Sequence, residues 1–214
     1  MDEEITIINE KNRNEKIKSF LVQNKILLYS TFIFLILVVL SFYSYKIYKD
    51  NNKKKLSDKY NIGIINYNNG DKTKVVELMK EIIKDKESTY SPLALYFLID
   101  NDLIKNQKEL NDLFDTLINK TSLEEEIKYL IIYKKGLYNS NFIDENGLLN
   151  ILNPLLNSGS IWKSHALYLV AEYFYSKDEM QKSKEFFSQI MNTENANQNI
   201  IKEAQKRLNR DLSD

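Results

Sequence analysis

The chain combines one uninterrupted apolar run with a longer region in which apolar and polar positions alternate with helical spacing. Residues 26–45 carry no charged side chain, and Lys25 and Lys46 close the run at its two ends. Twenty helical residues rise about 30 Å, the thickness of a bilayer's hydrocarbon core. The run is longer than the core of a signal peptide, and no small-residue cleavage site follows it. The pattern therefore predicts a retained transmembrane helix at 26–45, between an N-terminal segment at 1–25 and a polar domain at 46–214.

Beyond the run, apolar residues recur at i, i+3, i+4 and i+7, which is typical of amphipathic helices. The fullest example is Leu110, Leu113, Phe114, Leu117 and Ile118. Strand signals are absent, so the chain is predicted to be all-α. The helices predicted after the run are 50–68, 72–86, 91–104, 106–120, 123–139, 144–157, 161–176, 179–192 and 197–212.

Short polar motifs mark where several of these helices are expected to begin. Asn69-Gly70-Asp71 predicts a turn with an aspartate N-cap, and Ser91-Pro92 places a capping residue before a proline at the first helical position. Ser122 and Glu125 have the spacing of a capping box. Ser160 is the expected N-cap of the helix that follows it.

Alternate predicted helices start about 30 to 40 residues apart, and helix pairs with a period near 34 are the signature of tetratricopeptide (TPR) repeats. A TPR hairpin needs a small residue midway along its first helix, where the second helix crosses closely. In the fourth pair, Ala171, Phe174, Ser183 and Phe187 stand at the required spacing. The sequence therefore predicts a TPR-like α-solenoid of about four helix pairs followed by a C-terminal helix.

Composition narrows the function classes. The chain has 30 basic and 30 acidic residues, which argues against nucleic-acid binding because that function usually leaves a strongly basic surface. The absence of cysteine excludes disulfides, thiolate metal sites and cysteine nucleophiles. Five glycines and two prolines are few for a β-sandwich or a Rossmann fold, and no glycine-rich phosphate loop is present.

The basic residues flanking the apolar run do not give its orientation. Within fifteen residues of the run, five lie on the N-terminal side and six on the other. They are Lys11, Arg13, Lys16, Lys18 and Lys25 before the run, and Lys46, Lys49, Lys53, Lys54, Lys55 and Lys59 after it. The positive-inside rule therefore leaves both orientations open. The lysines at 53–55 are expected to form a solvated helix surface, with contact to anionic headgroups as the alternative.

The layout as a whole resembles the YfgM family, the ancillary subunits of the bacterial SecYEG translocon. The stretches that carry the resemblance are Lys16-Ile17-Lys18-Ser19-Phe20-Leu21, Tyr90-Ser91-Pro92-Leu93-Ala94-Leu95-Tyr96, Asn153-Pro154-Leu155-Leu156, Ile161-Trp162-Lys163-Ser164-His165-Ala166, Ala171-Glu172-Tyr173-Phe174 and Lys182-Ser183-Lys184-Glu185-Phe186-Phe187. The resemblance implies an N-terminus in the cytoplasm and a TPR domain in the periplasm. It also implies association with the translocon, and with periplasmic chaperones or emerging client polypeptides.

No residue is assigned to catalysis, cofactor binding or metal ligation, so the sequence predicts no enzyme. His165, the only histidine, is expected to be structural or exposed, and the glutamates at 124–126 are expected to be a helix-start charge run. Trp162 is expected to pack at a helix junction, with a partner contact as the alternative. The candidates for a binding groove on first helices are Tyr96, Tyr129, Tyr133, Tyr168 and Tyr175.

The function that the sequence together with this resemblance implies is a non-enzymatic protein-interaction module of the bacterial inner membrane. Its partners would be translocon subunits, periplasmic chaperones or secretory clients, with lipid contacted through one helix and no nucleic acid or small-molecule substrate. The alternative is an adaptor of the same fold that faces the cytoplasm and tethers a soluble complex to the membrane.

Overall fold

All regular secondary structure in the described part of the chain is helical. The structure, a computed structural model, describes residues 15–16 and 18–212, and it has no strand among them, so the all-α prediction is confirmed. Residues 18–23 are helical. The longer helices after this segment are α1 Lys25–Asn68, α2 Lys72–Lys84, α3 Tyr90–Asp100, α4 Gln107–Lys120, α5 Glu125–Asn139, α6 Glu145–Leu156, α7 Lys163–Ser176, α8 Met180–Met191 and α9 Gln198–Arg210.

The chain divides into two compact units, Met1–Lys54 and Lys55–Asp214. In the first unit, an 18-residue window of α1 has a mean hydropathy of 2.5 and none of it is buried. By length and composition this helix is apolar enough to cross a membrane. Much of the predicted segment 1–25, including Lys11 and Arg13, lies outside the described residues.

The predicted break between the apolar run and a separate helix at 50–68 was wrong. The backbone remains helical through residues 46–49, and α1 continues to Asn68. No glycine or proline lies between residues 46 and 62, so the loss of hydrophobicity after residue 45 is not accompanied by a residue that ends a helix.

In the second unit the helices fall into two rows. Each helix from α2 onward packs against the next, and contacts also skip one helix, as between α2 and α4, α5 and α7, and α7 and α9. Tyr60 and Tyr67 of α1 both meet the ring of Phe97 in α3 edge-on. Lys182 of α8 pairs with Glu145 of α6 at 2.8 Å. In these examples odd-numbered helices contact odd-numbered helices, and even-numbered helices contact even-numbered ones.

A recurring pairing of small and bulky residues sets how closely the two rows approach. Three hairpins place a small residue sixteen positions before a fully buried bulky one: Gly63 and Met79, Gly136 and Leu152, and Ala171 and Phe187. A Cβ at either glycine would overlap the facing side chain. The second hairpin has Leu98 at the equivalent place, and α3 packs less extensively on α4 than α5 does on α6.

The core runs along the stack instead of forming one centre. One cluster of buried apolar side chains extends from α1 to α5, a second joins α5, α6 and α7, and a third joins α7, α8 and α9. Each cluster therefore joins side chains from neighbouring hairpins.

Two of the predicted helix starts show how capping works in this chain. Asp71 caps α2 as predicted, because its carboxylate accepts a hydrogen bond from the Lys74 N–H at 3.2 Å. The prediction for Ser91 was wrong, since α3 begins at Tyr90. The buried carboxylate of Glu87 accepts the N–H groups of Thr89 and Tyr90 at 2.8 and 2.7 Å and starts the helix earlier.

Two other predicted caps and one predicted helix end were also wrong. Glu124, not Ser122, is the N-cap of α5, because the link before it is extended and carries Leu123 onto the core. Trp162 is the N-cap of α7 in place of Ser160. Helix α3 ends at Asp100, well before residue 104, because the chain turns through a left-handed conformation at Asp102, with φ of 51°.

Candidate protein-binding surface

Three exposed apolar side chains recur every 34 residues near the starts of odd-numbered helices. Leu93 lies in the first turn of α3, Ile127 in the first turn of α5, and Ile161 two residues ahead of α7. Their exposed fractions are 38, 36 and 54 %. We call the surface formed by these three residues and the two clefts beside them the apolar edge.

The first cleft lies between the starts of α3 and α5 and has a volume of about 320 Å³. Pro92, Leu93 and Tyr96 line it on one side, and Glu124 and Ile127 on the other. The hydroxyl oxygen of Tyr96 is buried and has no hydrogen-bond partner. Burial raises the pKa of Tyr96, and the nearby Asp100 carboxylate raises it further. The cleft is therefore mostly apolar, with one phenol whose hydrogen-bonding capacity is unused.

The second cleft lies between the start of α7 and the segment before α9 and has a volume of about 200 Å³. Ile161, Trp162, His165, Asn195 and Asn197 line it. The Trp162 ring lies 5.0 Å from the His165 ring, and Tyr133 of α5 stacks on Trp162 with ring centroids 6.1 Å apart. The structure thus places Trp162 at the junction of α5 and α7 and also at the wall of a cleft.

His165 lies in an apolar setting. Its Nδ1 atom is buried and has no hydrogen-bond partner. Burial lowers the pKa of His165, and the Ile161 carbonyl opposes that effect in part. The ring is held between Trp162 and Tyr133, so the neutral imidazole is the favoured form.

The two clefts belong to one continuous edge because α5 and α7 are tied together between them. The hydroxyl of Ser160, which is buried, donates to Glu126 at 2.7 Å, across 34 residues of sequence. The same oxygen accepts the N–H of Trp162 at 3.1 Å. Ser160, which the sequence predicts as the N-cap of α7, therefore joins the starts of α5 and α7.

The rim of the apolar edge is acidic. Glu124, Glu125 and Glu126 are all exposed at the start of α5. Glu125 accepts a hydrogen bond from the hydroxyl of Tyr129 at 3.0 Å, whereas the Glu124 side chain caps no backbone N–H. The basic residues on the same helix starts are Lys128 and Lys163. Lys134, whose ammonium lies 4.9 Å from the centroid of the Tyr96 ring, is offset by the Asp100 carboxylate at 3.8 Å. Acidic charge outweighs basic charge along this stretch.

The five candidate tyrosines do not gather in one groove. Tyr96 lines the first cleft and Tyr133 supports the wall of the second. Tyr168 and Tyr175 are partly buried in the cluster that joins α7, α8 and α9. Arg207 of α9 lies over the Tyr175 ring, 4.9 Å from its centroid. Helix α9 therefore packs over tyrosines that the sequence had offered as binding residues.

Other chemistry-bearing residues are dispersed. Within residues 15–16 and 18–212, no group of three histidine, aspartate or glutamate side chains is arranged to hold a metal ion. The lysines at 53–55 are exposed on α1.

No protein-family model, curated protein or solved structure matches the chain. Its function is therefore inferred from the geometry of the structure. Sequence reasoning missed the apolar edge, although the 34-residue recurrence of Leu93, Ile127 and Ile161 is visible in the sequence. Their exposure cannot be read from the sequence, because an apolar residue in a first turn is buried or exposed according to what the neighbouring hairpin places against it.

Proposed function

We propose that this chain is a membrane-anchored, non-enzymatic helical-repeat protein that binds a polypeptide partner at the apolar edge. The observation that carries the proposal is the row of exposed apolar side chains at the starts of α3, α5 and α7. Apolar surface rimmed by polar residues is characteristic of protein-interaction sites. The apolar span at 26–45 would supply the anchor.

A TPR-like solenoid is the architecture that best accounts for the second unit. The small-to-bulky spacing of sixteen residues recurs in three hairpins, as TPR packing requires. The buried hydroxyl of Ser183 donates to the Ala171 carbonyl at 2.9 Å, which accounts for a small residue near the start of the second helix. Stacked hairpins of this kind present an extended surface to partners.

The partner we propose is the bacterial secretion machinery. The resemblance to the YfgM family supports an ancillary role beside SecYEG, linking the translocon to periplasmic chaperones or to client polypeptides. In this proposal the N-terminus lies in the cytoplasm and the repeat domain in the periplasm, on either side of the inner membrane. The alternative is the cytoplasm-facing adaptor, which differs only in orientation.

Orientation can be tested with single cysteines because the natural chain has none. Lys108→Cys would place a thiol on the exposed surface of α4, and Lys16→Cys would place one before the apolar run. A membrane-impermeant maleimide applied to spheroplasts should label Lys108→Cys at once and Lys16→Cys only after lysis. The reverse pattern would refute the periplasmic proposal and favour the adaptor.

Partner identity can be tested by placing a photo-crosslinking amino acid at Ile127 in native membranes. Leu137 is the matched control, since it is 48 % exposed on the same helix but outside the apolar edge. Crosslinks from Ile127 should contain translocon subunits, chaperones or secretory polypeptides, and those from Leu137 should not. If such proteins are missing from the Ile127 crosslinks, the proposed function fails even though the fold stands.

A further inference from the structure

We infer that the apolar edge binds an extended polypeptide segment with an apolar side chain at about every third position and lysine or arginine between them. This inference rests on the proposed function and names the chemistry of the partner at that site. The spacing of the clefts and the charge of the rim each contribute to it.

The spacing of the clefts favours a segment that crosses the helix starts. Neighbouring packed helices lie about 10 Å apart, so the apolar side chains of successive odd-numbered helices recur at roughly that interval. A chain in the extended polyproline II conformation advances about 3.1 Å per residue with three residues per turn. Every third side chain therefore lies on the same face and meets a new helix start. The first cleft, between Leu93 and Ile127, and the second, beside Ile161, would each take one apolar side chain.

The charge of the rim selects the polar side chains of the segment. Glu124, Glu125 and Glu126 stand beside the first cleft and outnumber Lys128 and Lys163. Glu124 lines the cleft itself. An acidic rim repels acidic partners and attracts basic ones. The occupant is therefore basic as well as apolar.

Binding can be measured with a defined probe on the full chain in nanodiscs of zwitterionic lipid. The probe is a short fluorescein-labelled peptide with leucine at every third position and lysine between, followed by fluorescence anisotropy with empty nanodiscs subtracted. A second peptide replaces each lysine with glutamate, and a third moves leucine to every second position. We expect the first peptide to bind at least about tenfold tighter than either comparison peptide, and less tightly as salt is raised.

Matched variants locate the binding site. The double variant Leu93→Ser/Ile127→Ser should weaken binding about tenfold, and Leu137→Ser should leave it unchanged. Glu124→Lys should weaken binding and reduce its salt dependence, whereas Glu203→Lys on α9 should not.

Several outcomes would overturn the inference. They are equal binding of the lysine and glutamate peptides, equal effects of the edge variant and Leu137→Ser, or a bound peptide that becomes helical. The crosslinking experiment tests the proposed function separately. If the peptide does not bind but crosslinks from Ile127 still contain secretory polypeptides, this inference fails and the proposed function survives. If those crosslinks are also empty, both fail.

Discussion

Gly136 in α5 is the position that tests most directly how closely the two helices of a hairpin, α5 and α6, pack together. A Cβ at this residue would lie 2.5 Å from Leu152 Cδ2 and 3.0 Å from Leu152 Cγ, and Leu152 is fully buried. Gly136→Ala should gain about 1 kcal/mol of helix propensity. It should lose about 1–3 kcal/mol to overpacking, because Leu152 Cγ cannot retreat without a change of rotamer. We expect a net loss of about 1 kcal/mol of unfolding free energy.

Gly63→Ala is the matched control with the opposite expectation. There the new methyl would overlap only the Met79 Cε atom, and the next nearest atoms lie at 3.5 and 3.6 Å. The end of a methionine side chain moves aside easily. This variant should be neutral or stabilised by up to about 1 kcal/mol.

Urea unfolding of the full chain in non-ionic detergent measures both variants, followed by far-ultraviolet circular dichroism and by Trp162 fluorescence. Trp162 is the only tryptophan and packs against the cluster that contains Leu152. In a Leu152→Ala background, itself about 2–5 kcal/mol less stable, Gly136→Ala should cease to be destabilising. Equal costs of Gly136→Ala in the two backgrounds, or a cost at Gly63 that matches it, would refute the overpacking explanation.

Three further predictions concern polar contacts. Ser183→Ala should lower the free energy of unfolding by about 1 kcal/mol, because its buried hydroxyl donates to the Ala171 carbonyl. Ser188→Ala, at an exposed position of the same helix, should change it by less than about 0.5 kcal/mol, and urea unfolding measures both. Burial lowers the pKa of His165, so the free energy of unfolding should be full above about pH 6.5 and should fall as the pH drops below it. His165→Phe should reduce this pH dependence, measured as unfolding midpoints across that range. Arg207→Met should cost about 1 kcal/mol and raise amide exchange in α9, because its guanidinium holds both Glu172 oxygens, at 2.8 and 2.6 Å.

The sequence predicts the helices well because each periodic segment specifies its own buried face. Leu110, Phe114 and Leu117 recur on one side of α4, and all three are buried. Helix starts were predicted less well where the capping group lies outside the expected motif. Glu87 starts α3 from three residues upstream, and Ser160 is engaged by Glu126 of another helix. A local motif cannot anticipate a partner that only the stacking of hairpins brings into reach.

The candidate site was harder to predict than the fold for a related reason. The tyrosines chosen from the sequence lie on predicted first helices, but Tyr168 and Tyr175 are partly buried in the cluster that includes α9. Whether a first helix keeps an open face depends on the helices packed beside it, and α9 covers part of the last hairpin. The exposed residues at the helix starts are aliphatic and unremarkable in isolation, so neither residue type nor helical periodicity singles them out.

Stacking also explains why the apolar edge would need more than one hairpin to function. Because odd-numbered helices stand in one row, equivalent positions near their starts come to the same edge. One such side chain contributes about 1.5–3 kcal/mol when fully buried, which does not offset an association entropy of about 4–15 kcal/mol. Leu93, Ile127 and Ile161 approach that range only together. Under the proposed function a partner would therefore contact several hairpins at once, and loosening the stack through Gly136→Ala should weaken binding although residue 136 lies outside both clefts.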